Sequence, residues 1–256
     1  MKDFKFNKDF SLDGKVALIT GAGRGIGKAI AIFYAKKGAH LILVGRSNNV
    51  KETEKEVKKL KSDCLSLIYD IKEPENIDSI IKKSIDKFGR IDILVNNAGV
   101  VFLEDAETAS KENWDNTIAV NLTAPFLLSQ AVGKEMIKRK KGKIINIASL
   151  ASVLGFDKRS AYCSSKAGLI GLTRALAFEW SKYNINVNAI SPTVTLTEMA
   201  KKAWAGKPGE EMKKKILMGR FVYPDEVAAM AAFLGSDASE MITGANIVID
   251  GGYSIN

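Results

Sequence analysis

The stretch KVALITGAGRGIGKAIAIFYAKKGAHLILVGRS, residues 15–47, decides how the rest of the chain is read. Its first six residues, 15–20, are largely an uninterrupted apolar run, the composition of a strand covered on both faces. Gly21, Gly23, Gly25 and Gly27 follow, and a helical pattern over 25–38 carries Ala29, Ile32 and Phe33 on one stripe before the stop signal Gly38. A second apolar run, HLILV (40–44), completes a strand–helix–strand unit. Glycine lets the backbone turn sharply and lets a pyrophosphate approach without a Cβ clash. The helix opening near Gly25 would aim its N-terminal N–H groups and positive dipole end at that anion. Thr20, Gly21, Gly23, Arg24, Gly25, Ile26 and Gly27 are therefore candidate dinucleotide-binding residues.

The same rhythm continues outward. Further strand candidates are CLSLIY (64–69), IDILV (91–95), KIINIA (143–148), NVNAI (186–190) and NIVID (246–250). Amphipathic segments lie between them; Pro74 opens one that runs through Ile77, Ile80, Ile81 and Ile85 to Gly89. Long helices are expected over 104–138 and 160–182. Strands alternating with helices predict an α/β fold: one Rossmann-type, doubly wound parallel sheet of about seven strands with helices on both faces. No linker or composition break divides the chain, so residues 1–14 are expected to be an N-terminal extension and 15–256 a single dinucleotide-binding and catalytic domain. Residues 193–222, with two lysine clusters, Trp204 and AGKPGEE, break the rhythm and are expected to form a mobile substrate lid.

Composition closes off several alternatives. The 256 residues, 46% hydrophobic and 26% charged, are those of an ordinary globular protein. Two cysteines, Cys64 and Cys163, and one histidine, His40, cannot readily supply a zinc site, so no metal is expected. The cysteines are expected to be free thiols, as in a reducing cytosol, and His40 to be a loop or strand-edge residue. The N-terminus lacks the apolar stretch of a signal peptide, and no run approaches the length of a membrane span. A cytoplasmic protein without a membrane partner is expected. The net charge of +9 comes from 38 Lys and Arg against 29 Asp and Glu, spread along most helices without a nucleic-acid-binding motif.

The end of the second strand bears on cofactor choice. Folds of this kind that select NAD usually carry an acid there to hold the ribose 2′-hydroxyl. This chain reads Val44-Gly45-Arg46-Ser47. Arg46, helped by Arg24, can form charge-assisted bonds to a 2′-phosphate, which favours NADP(H) while leaving NAD(H) possible. Solvated arginines are the plainer alternative.

INIASLASVLGFDKRSAYCSSKAGLIGLTRALAFEW (145–180) carries the candidate chemistry. Ser149 falls at the carboxyl end of the fifth strand, where open α/β sheets bind ligands. Tyr162 and Lys166, four apart on a predicted helix, project from one face. A free tyrosine titrates near pKa 10, and a nearby ammonium favours its phenolate. Lowering that value by about three units needs about 4 kcal/mol of differential stabilisation. One neighbouring cation plus an oxidised nicotinamide could supply it.

With these motifs in order, the sequence resembles the short-chain dehydrogenase/reductase family from about Lys15 to Tyr253. The glycine motif matches at Thr20, Gly21, Gly25 and Gly27, and the NNAG signature at Asn96, Asn97, Ala98 and Gly99. Asn121, Ser149, Tyr162 and Lys166 match the catalytic tetrad. The resemblance implies that Tyr162 is the general acid/base and that Ser149 hydrogen-bonds the reacting oxygen. It implies that Lys166 holds the nicotinamide ribose and lowers the tyrosine pKa, and that Asn121 holds a water in a proton relay. Asp70, with Ile71 beside it, would meet the adenine; Asn97, Ala98, Gly99, Pro192, Thr193, Thr195 and Thr197 would complete the cofactor cradle with Ser47. The family usually has Pro-Gly where this chain has Pro192-Thr193, which implies a less permissive turn. The resemblance also implies a homo-oligomer, commonly a tetramer paired through the long helices.

Around Pro192-Thr193 the chain is most similar to polyol dehydrogenases and xylulose reductases of the family, so a small sugar alcohol or ketose is the expected substrate. Val100, Val101, Ser152, Phe156, Val194 and Trp204 are expected to wall the pocket. A 3-oxoacyl-[acyl-carrier-protein] reductase is the alternative, with KRKKGK (138–143) docking the acidic carrier. A non-catalytic dinucleotide-binding regulator, or a nucleic-acid binder, is the remote one.

Overall fold

Seven apolar runs become seven parallel strands, the central ones buried from both sides and the edge strands β3 and β7 only in part. The computed structural model describes residues 10–256. The strands are β1 (Val16–Thr20), β2 (His40–Gly45), β3 (Cys64–Ile68), β4 (Ile93–Asn96), β5 (Gly142–Ile147), β6 (Ile185–Pro192) and β7 (Asn246–Ile249). They form one sheet in the order β3-β2-β1-β4-β5-β6-β7, every pair parallel. The order reverses between β1 and β4, so the carboxyl ends of these neighbours flank the crevice where such sheets bind ligands.

Helices cover both faces. On one, α1 (Gly25–Lys36), α2 (Asn49–Lys59) and α9 (Pro224–Gly235) share a core with Ile19, Leu43, Ile93 and Ile145. On the other, α3 (Pro74–Phe88), α5 (Ala124–Arg139) and α6 (Ser160–Trp180) enclose Leu18, Ile42, Leu94 and Ile144. Adjacent residues of one strand thus serve opposite cores, which is why these strands read as continuous apolar runs. Helix α3 starts at Pro74 and stops at Gly89 in the left-handed conformation (φ 73°), as the sequence predicts.

Two expectations change. The expected extension over 1–14 reaches into packed structure: Leu12 is fully buried, its N–H bonded to Lys37 O, and Phe10 meets Phe233 edge-on at 5.3 Å. The remainder of that extension, residues 1–9, lies outside the described residues. The helix expected over 104–138 begins only with α4 (Lys111–Ile118), where the Ser110 hydroxyl accepts from Asn113 N and caps it. It then passes through a π-helical segment, Ala119–Thr123, before α5. Residues 193–222 contain α7 (Glu198–Ala203) and α8 (Lys207–Lys214). Backbone bonds Val222 N to Val194 O and Leu196 N to Val222 O close the base of this excursion. Met212, Ile216 and Phe221 form its own small core.

His40 begins β2, stacks on Phe88 and accepts from Asp63 N through Nδ1, the strand-edge role expected of it. Among the described residues no helix is long and apolar enough to cross a membrane. Both cysteines are free.

At the amino-terminal end of β5, Lys143 is buried, its Nζ donating to Asn186 Oδ1 at 2.8 Å and Ser239 Oγ at 3.4 Å. Burial pulls its pKa from 10.5 down to about 8, against the opposing pull of Asp237 and Glu240. Between those two values the folded chain binds fewer protons than the unfolded one, so stability rises with pH across that window. Lys143→Met is expected to remove about 1–3 kcal/mol of that rise. Urea unfolding at about pH 7.5 and about pH 10 measures it; an unchanged rise would contradict the assignment.

Candidate active site

The glycine loop is locked from behind before any ligand is considered. The Thr20 hydroxyl, buried at the end of β1, accepts from Asn97 N at 3.0 Å and Ala98 N at 3.1 Å. Asn97 Nδ2 returns a bond to Thr20 O at 2.9 Å. The TG and NNAG motifs are therefore two sides of one clamp across β1 and β4. A Cβ at Gly27 would stand 2.3 Å from Gly21 O, and one at Gly21 would stand 2.8 Å from Asn97 Nδ2. Gly25 turns with φ 56° and faces the Thr197 side chain, 3.2 Å from where its Cβ would be.

The donor set suits a pyrophosphate. Helix α1 has no side-chain cap and no acid in its first turn, so its leading N–H groups are offered to an anion. Arg24 is exposed at that turn. At the β2 end Arg46 projects largely into solvent, its Nη1 3.8 Å from Asp70 Oδ2. The residues expected to meet adenine and 2′-phosphate thus lie side by side, and Asp70 is held by Lys72 N at 3.0 Å. Ile71 is buried, and Ser47 is exposed.

The reacting groups stand at the carboxyl ends of β4 and β5. Ser149 is extended backbone leading into a 3-10 turn, Leu150–Ser152, and its hydroxyl accepts from Ala151 N at 3.1 Å. Tyr162 and Lys166 lie one turn apart on α6, with Lys166 Nζ 5.7 Å from the tyrosine ring centroid. Lys166 is buried and donates to Ile147 O at 2.8 Å. Burial lowers its pKa to about 8. Burial raises the Tyr162 pKa above the ordinary value, while Ser149 and the Arg159 guanidinium pull it down.

Asn121 sits in the π-helical segment and is fully buried. Its Oδ1 accepts from Val100 N and its Nδ2 donates to Val100 O, both at 2.9 Å; Nδ2 also reaches Ser165 Oγ at 3.1 Å. This side chain pins the loop after Gly99 to α6, and a π-bulge at a functional position is a recurring arrangement. Both amide protons are committed, while Oδ1, which has two lone pairs, accepts one of these bonds.

The remaining expected positions divide. Thr193 sits without a left-handed backbone, its N–H bonded to Ile249 O, so the change from Gly introduces no strain. Pro192 ends β6, Thr195 is buried against Thr193 O, and Thr197 caps α7 through Ala200 N. Val101 is exposed, and Phe156 stacks on Tyr253. Val194 and Trp204, expected in the pocket wall, are partly buried against the small core that contains Phe221. Trp204 lines a separate cavity of about 240 Å³ with Leu196, Lys213 and Tyr223. Two contributors went unread in the sequence. Ser165 holds Asn121, and Arg159, three residues before Tyr162, brings a cation to the phenol.

A glycine-walled anion cradle beside a buried lysine and a serine-bonded tyrosine defines an NAD(P)-dependent oxidoreductase acting on CH–OH groups. The chain belongs to the short-chain dehydrogenase/reductase family. The family profile described as enoyl-(acyl carrier protein) reductase matches residues 21–254. The chain is 52% identical to an NAD-dependent glycerol dehydrogenase of Listeria innocua, over 98% of each chain. It is 48% identical to a D-threitol dehydrogenase of Mycolicibacterium smegmatis, over 96% of this chain and 95% of that one. A crystal structure from Beutenbergia cavernae, provisionally named an NAD(P)-dependent gluconate 5-dehydrogenase and holding NADP at low occupancy, superposes with a TM-score of 0.92. It is 36% identical and covers 96% of this chain and 99% of its own.

Proposed function

We propose that the chain interconverts a small sugar alcohol and the corresponding ketose. The observation that carries the chemistry is Tyr162, hydrogen-bonded by Ser149 and one helical turn from buried Lys166, beside the glycine cradle. Tyr162 accepts the alcohol proton in oxidation and returns it in reduction. Ser149 donates to the reacting oxygen and stabilises charge that develops there. Lys166 holds the cofactor ribose, and Asn121 holds the loop that frames it. The bound nicotinamide supplies the hydride acceptor and, when oxidised, the positive charge that Tyr162 needs beyond Arg159. The polyol reading of the substrate is supported by the likeness to glycerol and threitol dehydrogenases. Residues 15–256 then act as one catalytic domain, with 193–222 as its substrate lid.

The carrier-protein alternative draws less support from its expected docking stretch. Within KRKKGK, Lys143 is buried, Arg139 bonds Asp92 and Ile91 O, and Lys138 pairs with Glu135. That stretch also lies at the opposite end of β5 from Ser149, about 20 Å away at 3.3 Å per residue. Two free thiols support a cytoplasmic setting. Exposed Trp114, Phe126 and Phe178 on α4, α5 and α6 support pairing of subunits into a homotetramer.

NADP(H) is the favoured cofactor, on the strength of Arg46 and Arg24 and the absence of an acid at the β2 end. Steady-state rates with a panel of polyols and ketoses, run with both cofactors, test the whole reading. Arg46→Ala is expected to lower kcat/KM for NADP by about 10- to 100-fold and to leave NAD nearly unchanged. A wild-type preference for NAD, or an equal loss with both, would remove the NADP assignment; a panel without turnover would remove the polyol one.

A further inference from the structure

The turn that begins at Ser149 ends in a second serine whose polarity is fixed from behind. Ser152 N donates to Ser149 O at 2.8 Å, which ties the second serine to the first at the carboxyl end of β5. Ser152 Oγ lies 3.1 Å from Ser191 Oγ, where either could donate. Fully buried Ser191 settles the direction, because its Oγ lies 2.6 Å from Asn246 Oδ1. An amide oxygen only accepts, so the single Ser191 proton goes to Asn246. Ser191 then has only lone pairs for Ser152, and the Ser152 proton goes to Ser191. What Ser152 can offer a ligand is therefore an acceptor alone. Ser149 is the reverse: its hydroxyl accepts from Ala151 N and keeps its proton for the reacting oxygen.

We propose that Ser152 is the specificity-determining acceptor for a hydroxyl on the carbon next to the reacting one, with Ser191 and Asn246 as its positioning residues. The site then presents a donor to the reacting oxygen and an acceptor to its neighbour, the pattern of a vicinal diol or an α-hydroxy ketone. A substrate with a carbonyl, ether or thioester oxygen at that second place sets lone pair against lone pair. This assignment rests on the alcohol-oxidising reading of Tyr162 and Ser149, and it narrows the substrate class within it.

Butane-2,3-diol and 2-butanol differ by the one hydroxyl in question, and initial rates with both, on the full chain with saturating cofactor, test the assignment. Wild-type kcat/KM is expected to favour the diol by about 10- to 100-fold. Ser152→Ala should lower the diol value by most of that factor, through KM, and leave 2-butanol within about twofold. Ser152→Thr, which keeps the hydroxyl, should keep the preference. Asn246→Asp, an obligate acceptor, should keep it too, whereas Asn246→Leu releases the Ser191 proton and should weaken it. Equal losses on both alcohols in Ser152→Ala, no loss on either, or an Asn246→Asp variant as impaired as Asn246→Leu would each overturn the assignment. Wild-type oxidation of both alcohols without preference would overturn it and leave the proposed function standing. Oxidation of neither, whether or not an acetoacetyl thioester is reduced, would overturn both.

Discussion

Replacing Tyr162 by Phe is expected to lower turnover by about 10³-fold while cofactor affinity changes by no more than about twofold. The substitution removes one oxygen and keeps the ring in place on α6. Lys166 loses no hydrogen bond, since its bond goes to Ile147 O rather than to the phenol. What disappears is the group that exchanges a proton with the substrate oxygen. The pH profile of the wild type follows from the same oxygen. Burial holds the Tyr162 pKa above its ordinary value, with Ser149 and Arg159 only partly offsetting it. Oxidation needs the phenolate, so its rate should climb as pH rises from neutral into the alkaline range; reduction needs the phenol and should fall. Stopped-flow or steady-state rates in both directions, with cofactor titration by fluorescence, give all three quantities. Retention of a tenth or more of wild-type turnover would remove Tyr162 from its assigned role.

The sheet was legible because its physics is local. Val16–Thr20, Cys64–Ile68 and Asn246–Ile249 each lie within a residue or two of an apolar run bounded by polar or glycine positions. The clamp between Thr20 and Asn97 was legible only as two motifs; their hydrogen bonds span residues 77 apart in sequence. The helix expected over 104–138 starts later, at α4, because the Ser110 cap sets its beginning. The π-helical segment was hidden for a similar reason, since it coincides with Asn121 bonds to a distant loop. The packing of Trp204 against the small core of Phe221 and Met212 was not legible, because it depends on residues that only the fold brings together. Arg159 and Ser191 were missed because their roles come from which groups the fold brings beside them.

The second large effect concerns the clamp itself. Gly27→Ala adds one methyl group, yet that methyl would sit 2.3 Å from Gly21 O and 2.4 Å from Asn97 Nδ2. Neither neighbour can retreat cheaply. Gly21 is held by its left-handed turn (φ 65°), and Asn97 Nδ2 already donates to Thr20 O at 2.9 Å. Relief must come from moving α1 away from the end of β1, which displaces the helix N–H groups that form the cradle. Overpacking of this kind costs about 1–3 kcal/mol of stability, and misplacing the cradle donors should weaken cofactor binding by about 100-fold or more. Thermal unfolding and calorimetric titration with NADP and NAD measure the two effects separately. Gly155→Ala is the matched control, for a Cβ there would meet nothing within 4 Å, and both quantities should stay close to wild type. A Gly27→Ala variant that binds cofactor normally would mean that the loop yields where the packing says it cannot.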